Sequence, residues 1–253
     1  MRTSKLQRIV ASSGAMSRRV AQSAVVDGRV SINGKTCHNP AIQVQCSDTV
    51  MLDGRTLVQM PPGRERLWRY FKPPGLITTH KDPDGRPIIF DALPAHLPRV
   101  VTVGRLDRDT EGLLLLTTSG SLARLLMHPS SQIEREYHAC VVTGQRSITS
   151  DMIAELEGGI TLQDGFTFAP MTIDKLAHGF VGDKAGSGRE WMRMRLKEGK
   201  KHEVKRSWQE FGFSVSRLMR VRYGQFGLDG LHQGEVDEVD PDTVETLSRR
   251  LSA

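Results

Sequence analysis

The sequence predicts a mixed helix-and-strand chain in two parts, a small amino-terminal unit and a larger body. Two observations carry this. Early in the chain, two stretches with helical apolar spacing stand ahead of two turn dipeptides, Asn33-Gly34 and Asp53-Gly54. Beyond Pro61-Pro62-Gly63, the natural linker, short apolar or alternating runs at 67–71, 113–116, 135–142 and 191–196 read as strands, with a helical stretch between two of them. The expected division is residues 1–60, a linker over 61–66, and a larger domain over 67–253.

Leu6, Ile9 and Val10 recur at helical spacing, and Gly14 stops that helix. Ser17 caps a second helix, which begins at Arg18 and Arg19, has an apolar face of Val20, Ala21, Ala24 and Val25, and ends at Asp27-Gly28. Asn33-Gly34 between β-prone residues signals a type I′ hairpin, and Asp53-Gly54 marks a second turn. A unit of roughly 55 residues is marginal when alone. In the larger part, Leu67-Trp68-Arg69-Tyr70-Phe71 reads as a strand ending at Lys72-Pro73-Pro74-Gly75. The leucines 113–116, bounded by Gly112 and Gly120, read as a buried strand. Ser121 is placed to cap a helix carrying Leu122, Leu125 and Leu126, which Pro129 ends. Residues 135–142 alternate as a strand, Trp191–Leu196 forms another, and Gly182 to Gly188 reads as a flexible loop.

Charge narrows the function classes. The formal net charge is +6 and the pI about 9.4, which suits a polyanionic partner. The excess is concentrated: residues 1–60 hold eight Lys/Arg against three Asp/Glu, and residues 193–222 hold ten against three. Three cysteines without a CxxC pair argue against a disulfide scaffold and a zinc site. The eight histidines show no HExxH spacing, and His202-Glu203 lacks nearby partners for a metal. Neither a Walker loop nor a GxGxxG fingerprint is present, so no metal and no cofactor are expected. No apolar run approaches the ~20 residues of a membrane helix. The first 26 residues, with five Lys/Arg and no acid, mimic a transit peptide, but the helix-and-hairpin pattern accounts for them better.

One carboxylate stands out. Asp107 follows Arg105 by two residues and precedes the leucine strand, on a turn leading into the core. A carboxylate there is costly unless paired, and a rigid strand beside it holds it well for chemistry. The alternative on local spacing is an Asp–Arg ion pair that merely fixes a loop.

The stretch Gly104-Arg105-Leu106-Asp107-Arg108-Asp109-Thr110-Glu111-Gly112-Leu113-Leu114-Leu115-Leu116-Thr117 resembles the signature of the pseudouridine synthases, in the subfamily of small-subunit synthase A and large-subunit synthases B, E and F. Three further segments resemble it in the same order: Lys72-Pro73-Pro74-Gly75 with Gly85-Arg86-Pro87, then Arg135-Glu136-Tyr137, then Glu198-Gly199-Lys200-Lys201-His202-Glu203-Val204-Lys205-Arg206. Trp208 and Arg220-Val221-Arg222-Tyr223-Gly224 are similar to the synthase B group, which acts on the large ribosomal subunit. The early helices, with Arg8, Ser17-Arg18-Arg19 and Gly28 to Gly34, resemble the S4 RNA-binding domain.

The resemblance implies an α+β fold: an S4 domain plus a catalytic domain built on a largely antiparallel mixed sheet with a central cleft. It makes Asp107 the catalytic aspartate, Tyr137 the pocket tyrosine that packs on a flipped base, and Lys205 the basic residue facing Asp107, in a position where many relatives have Arg. Arg105 is the second cation beside Asp107. It places RNA contacts at Arg8, Arg18, Arg19, Arg29 and Lys35; the loop and basic-block residues Lys72, Arg86, Lys200, Lys201 and Arg206 are expected to join them. The tyrosine's alternative is a packed strand residue, and that of arginines 217, 220 and 222 is a solvated strand face. The implied activity is isomerisation of a ribosomal-RNA uridine to pseudouridine. The partner is rRNA or a pre-ribosomal particle, met by a cytoplasmic monomer. A synthase for small-subunit rRNA and a non-catalytic rRNA-binding assembly factor are the competing readings.

Overall fold

The computed structural model describes residues 3–57, 65–179 and 188–252. The chain forms two compact units, Met1–Glu65 and Arg66–Ala253. All but the last two residues of the expected 61–66 linker, and nearly all of the expected loop at 182–188, lie outside the described residues.

In the first unit, β1 (Thr3–Lys5) leads into α1 (Leu6–Ser12) and α2 (Arg18–Val26), followed by β2 (Val30–Ile32), β3 (Lys35–Thr36), β4 (Gln43–Gln45), β5 (Val50–Leu52) and β6 (Arg55–Leu57). Ser17 caps α2 by accepting from the Val20 N–H. Asn33-Gly34 and Asp53-Gly54 have φ of 49°, 80°, 50° and 75°, the left-handed pairs a type I′ turn needs. Leu6, Val10, Ala21, Ala24 and Val25 from the helices bury against Val30, Val44, Val50 and Leu52 from the strands.

The second unit contains β7 (Leu67–Lys72), α3 (Ile89–Ala92), β8 (Val101–Thr102), β9 (Glu111–Thr117), α4 (Gly120–Met127), β10 (Arg135–Val142), α5 (Ser150–Gly158), β11 (Ile160–Thr161) and β12 (Thr167–Phe168). These are followed by β13 (Thr172–Leu176), β14 (Arg189–Leu196), α6 (Glu203–Glu210), β15 (Ser214–Tyr223), β16 (Phe226–Gly227), β17 (Val236–Glu238) and α7 (Pro241–Ser252). The main sheet runs β13-β14-β10-β15-β9-β7-β17, antiparallel except where β15 lies parallel to β9. All seven residues of β9 are buried. Its leucines divide by strand alternation, Leu113 and Leu115 into one cluster and Leu114 and Leu116 into another. At about 1.5–3 kcal/mol per buried leucine, this strand anchors the unit's core. Gly112 makes the parallel junction possible: its φ is 105°, and a Cβ there would stand 2.2 Å from the Arg220 carbonyl oxygen.

Two local expectations differ from the structure. The cap of α4 is Ser119, not Ser121, because the helix begins at Gly120 and the Ser119 Oγ accepts from the Leu122 N–H. Arg220 is not on a solvated face: it is buried, its Nε donates to the Leu113 carbonyl at 2.7 Å, and its guanidinium lies over the Tyr223 ring.

Candidate active site

The segment that carries Asp107 connects β8 to β9 and is pinned on both sides. Thr78 accepts from the Leu106 N–H and donates its hydroxyl to the Leu106 carbonyl at 2.8 Å. On the other side, the Arg108 carbonyl accepts from the Gly75 N–H, and the Thr110 N–H donates back to the Asp107 carbonyl. Lys72 completes the clamp. Its Nζ donates to the carbonyls of Pro73, Arg108 and Thr110 at 2.9, 3.1 and 2.9 Å, using all three hydrogens of an ammonium. The Lys-Pro-Pro-Gly turn and the Asp107 segment are thus one construction, with the Asp107 side chain left 40% exposed between fixed neighbours.

This corrects the expectation that Lys72 contacts RNA: it is fully buried. Burial pushes its ammonium down to about 8, against the pull of the carboxylates of Asp109, Asp107 and Glu111.

The carboxylate's partner also differs from the expected one. No ion pair joins Asp107 to Arg105 or Lys205 among the described residues; the facing group is His202, whose Nε2 lies 3.4 Å from Asp107 Oδ1. His202 is the N-cap of α6 and sits in the left-handed region at φ 55°, uncommon for a residue with a Cβ. Lys205 follows one turn later on α6, half-buried, at the spacing that places it beside His202 along the helix. The sequence signal for His202 was a histidine inside the basic block, directly ahead of a helical run; its left-handed backbone was not readable there.

The loop before α6 is tethered at several points. Arg135 is buried and donates to the carbonyls of Ile133 and Lys197 and to the Tyr223 hydroxyl. Glu198 accepts from the Ala169 N–H at 2.6 Å and pairs with Lys200, whose Nζ also donates to the Thr167 carbonyl. Tyr137, on β10, is half-buried and packs in the cluster that contains Leu106, the residue before Asp107. Phe90, Leu93, Leu97 and Val100 of that cluster also line a 440 Å³ cleft with His80 and Arg99. There the His80 ring stacks on Phe90 at 3.7 Å, and burial with the nearby Arg99 lowers the imidazole.

Among the expected RNA contacts, Arg18, Arg19, Lys35 and Lys201 are exposed and form no ion pair among the described residues. Arg8 is also exposed. Four others are engaged within the protein: Arg29 with Asp53, Arg86 with Asp82 and Asp84, Lys200 with Glu198, and Arg206 with Asp164. Among the described residues, no group of three or more His, Cys, Asp or Glu is placed to hold a metal ion. No helix of the described residues is long and apolar enough to cross a membrane.

Residues 67–210 match the RNA pseudouridylate synthase family, more than half of the chain. The chain belongs to that family. Residues 4–50 match the S4 domain. This pseudouridylate synthase is 42% identical over 243 residues to the ribosomal large subunit pseudouridine synthase B of Yersinia pestis, covering 93% of the chain and 72% of that relative. It is 38% identical over 241 residues to an uncharacterised RNA pseudouridine synthase of Rickettsia felis, covering 95% and 99%. A solved pseudouridylate synthase shares the fold, with a TM-score of 0.63 at 23% identity, covering 96% of this chain and 99% of that one.

Proposed function

We propose that this synthase converts a uridine of large-subunit ribosomal RNA to pseudouridine, with Asp107 as the carboxylate that opens the reaction. The observation that carries the reading is the Asp107 segment itself: an accessible carboxylate held between Leu106 and Arg108, both locked to the end of β7 and the segment after it. The similarity to the Yersinia pestis enzyme supports large-subunit rRNA as the substrate.

RNA is held through phosphates by the exposed cations of the S4 unit and by the exposed Lys197, Lys201 and Arg222 of the basic block over 193–222, which gives affinity with little sequence choice. The target uridine leaves its stack and enters the site, where Tyr137 replaces the lost stacking. The ionised Asp107 starts glycosidic cleavage, by attack on the ribose or by driving loss of the base. Uracil turns and rejoins ribose C1′ through C5, displacing Asp107 if it had attacked there; the C5 proton then leaves to a base and the freed N1 takes up a proton. By resemblance to the family, Arg105 and Lys205 are the cations that keep Asp107 ionised. The chemistry needs no external acceptor, so a second catalytic carboxylate of the glycosidase kind has no role. The proposed setting is a cytoplasmic monomer acting on rRNA or a pre-ribosomal particle.

The test is pseudouridine mapping on rRNA from cells lacking the gene, complemented with wild type or Asp107→Asn. Loss of one large-subunit site that only wild type restores is the expected result. Full restoration by Asp107→Asn would sink the catalytic assignment, and an unchanged rRNA map would sink the substrate.

A further inference from the structure

Glu203 is the first residue of α6 and is only 4% exposed. One carboxyl oxygen, Oε2, accepts from the Lys200 N–H at 3.0 Å. The other, Oε1, is buried with no hydrogen-bond donor. An ionised carboxylate buried in this way is expensive, because one of its oxygens would keep its charge without water or a donor. The neighbouring side chain that interacts with it is not a donor but another carboxylate, Glu198, whose own oxygens are engaged by the Ala169 N–H and Lys200 Nζ. Lys200 pairs with Glu198, but no donor reaches Glu203 Oε1, so the two neighbouring carboxyl groups are both satisfied when they share a proton.

We infer that Glu203 is a positioning residue that keeps a proton and donates it to Glu198, and that this acid–carboxylate hydrogen bond fixes the loop 198–203 so that His202 stays against Asp107. The inference rests on the reading of Asp107 as the reacting carboxylate. His202 lies in the chain between Glu198 and Glu203, one residue before Glu203, in a left-handed conformation that loop closure must hold in place. The charged groups acting on Glu203 are Glu198 and Lys200, both from the loop. On its own helix, Arg206 is drawn away to Asp164 of the segment between β11 and β12. The electrostatics agree with the geometry: burial first, then Glu198, pushes the Glu203 carboxyl up to about 8. Glu198 remains the ionised member, held below the usual carboxylate range by its hydrogen bonds and by Lys200 against the cost of its burial.

The experiment uses full-length protein and a fragment of large-subunit rRNA that contains the mapped site. Single-turnover pseudouridine formation is followed from pH 6 to pH 10 for wild type, Glu203→Gln and Glu203→Ala, and infrared difference spectra record protonated carboxyl groups. Glutamine has the same shape and carries an N–H that cannot be titrated away. It should therefore keep the neutral-pH rate within about threefold while lacking the alkaline fall expected of the wild type. Alanine should lose on the order of 10- to 100-fold in rate, as expected for a misplaced group near the reacting atoms. A protonated-carboxyl band present in wild type at pH 7, absent in Glu203→Gln, and still present in Asp107→Asn is the independent readout of the proton. Absence of that band in wild type overturns the inference, as does a Glu203→Gln profile that overlays wild type or a rate as low as that of alanine. Activity retained by Asp107→Asn would instead sink the site reading, and the band would still report on the proton.

Discussion

His202 Nε2 faces Asp107 Oδ1 at 3.4 Å, although the two residues are 95 positions apart in the chain and the family resemblance points to Lys205 for that place. A protonated imidazole there is an ion-pair partner for the carboxylate, and a neutral one is a hydrogen-bond partner.

His202→Ala is therefore expected to lower single-turnover pseudouridine formation on the order of tenfold or more, with RNA affinity changed less than about twofold. Rates measured at saturating RNA check this. An unchanged rate would mean that the carboxylate works without the contact. His202→Asn, which tolerates the left-handed backbone, should fold as the wild type does, whereas His202→Val should cost about 1–3 kcal/mol because a β-branched residue resists that φ.

Lys72→Met removes three donors from the Pro73, Arg108 and Thr110 carbonyls and frees the Asp107 segment on one side. The expected loss is about 2–4 kcal/mol of stability from unpaired buried carbonyls. The sign of its pH dependence also follows. The folded ammonium is depressed to about 8 while the unfolded one titrates near 10.4, so the unfolded chain holds the extra proton between those values. Wild-type stability should thus gain on the variant as pH rises from about 8 to about 10.4. Urea unfolding of both proteins across that range is the measurement. A Lys72→Met protein as stable as wild type but weak in RNA binding would restore the surface role that burial denies.

How the site was readable in the sequence follows from these two residues. The strands over 67–71, 113–116, 135–142 and 191–196, the hairpin turns and the Asp107 loop were legible because period-2 runs, Asn-Gly dipeptides and glycine-bounded leucines are local signals, whereas the short strands such as Thr172–Leu176 and Val236–Glu238 carry no such signal. Lys72 was misplaced because a lysine beside Pro-Pro-Gly reads as surface. Only the fold reveals that the turn closes over the Arg108 and Thr110 carbonyls. His202 and Glu203 were undervalued for the same reason: their partners, Asp107 and Glu198, become neighbours through loop geometry that no spacing encodes. Arg220 looked solvated because strand alternation shows which residues share a face, not which faces are covered.

Gly112→Ala tests the parallel junction of β9 and β15. An alanine Cβ would meet the Arg220 carbonyl at 2.2 Å, and φ of 105° is itself unfavourable for any side chain. Backbone cannot retreat cheaply inside a sheet, so the cost should reach about 3 kcal/mol or more, a fall in Tm on the order of 10 °C. Calorimetry on the variant is decisive: a shift under about 2 °C would mean that the strands part without penalty.

Arg217 and Arg222 lie on the same strand but in unlike surroundings. Arg217 pairs with the buried carboxylate of Glu111, which also accepts from Gln233, whereas Arg222 is exposed. Arg217→Ala should cost about 2–3 kcal/mol by leaving Glu111 short of a partner, and Arg222→Ala less than about 0.5 kcal/mol. Equal costs for the two in urea unfolding would refute the assignment.

The salt dependence of RNA binding separates free cations from engaged ones. A phosphate contact releases counterions, so each lost contact should lower the slope of log K against log salt by about one. Arg18 and Arg19 are exposed on α2 with no ion pair among the described residues, and Arg18→Ala and Arg19→Ala should each show that change. Arg29 is different: its guanidinium is held by both oxygens of Asp53 at 2.9 and 2.5 Å, and that carboxylate must be displaced before a phosphate takes its place. Arg29→Ala should therefore change the slope by well under one, and Asp53→Asn should strengthen binding by releasing the arginine. Titrations at several salt concentrations decide between them. A full unit lost in Arg29→Ala, with no gain in Asp53→Asn, would mean that the pair opens freely and that all three arginines reach phosphate.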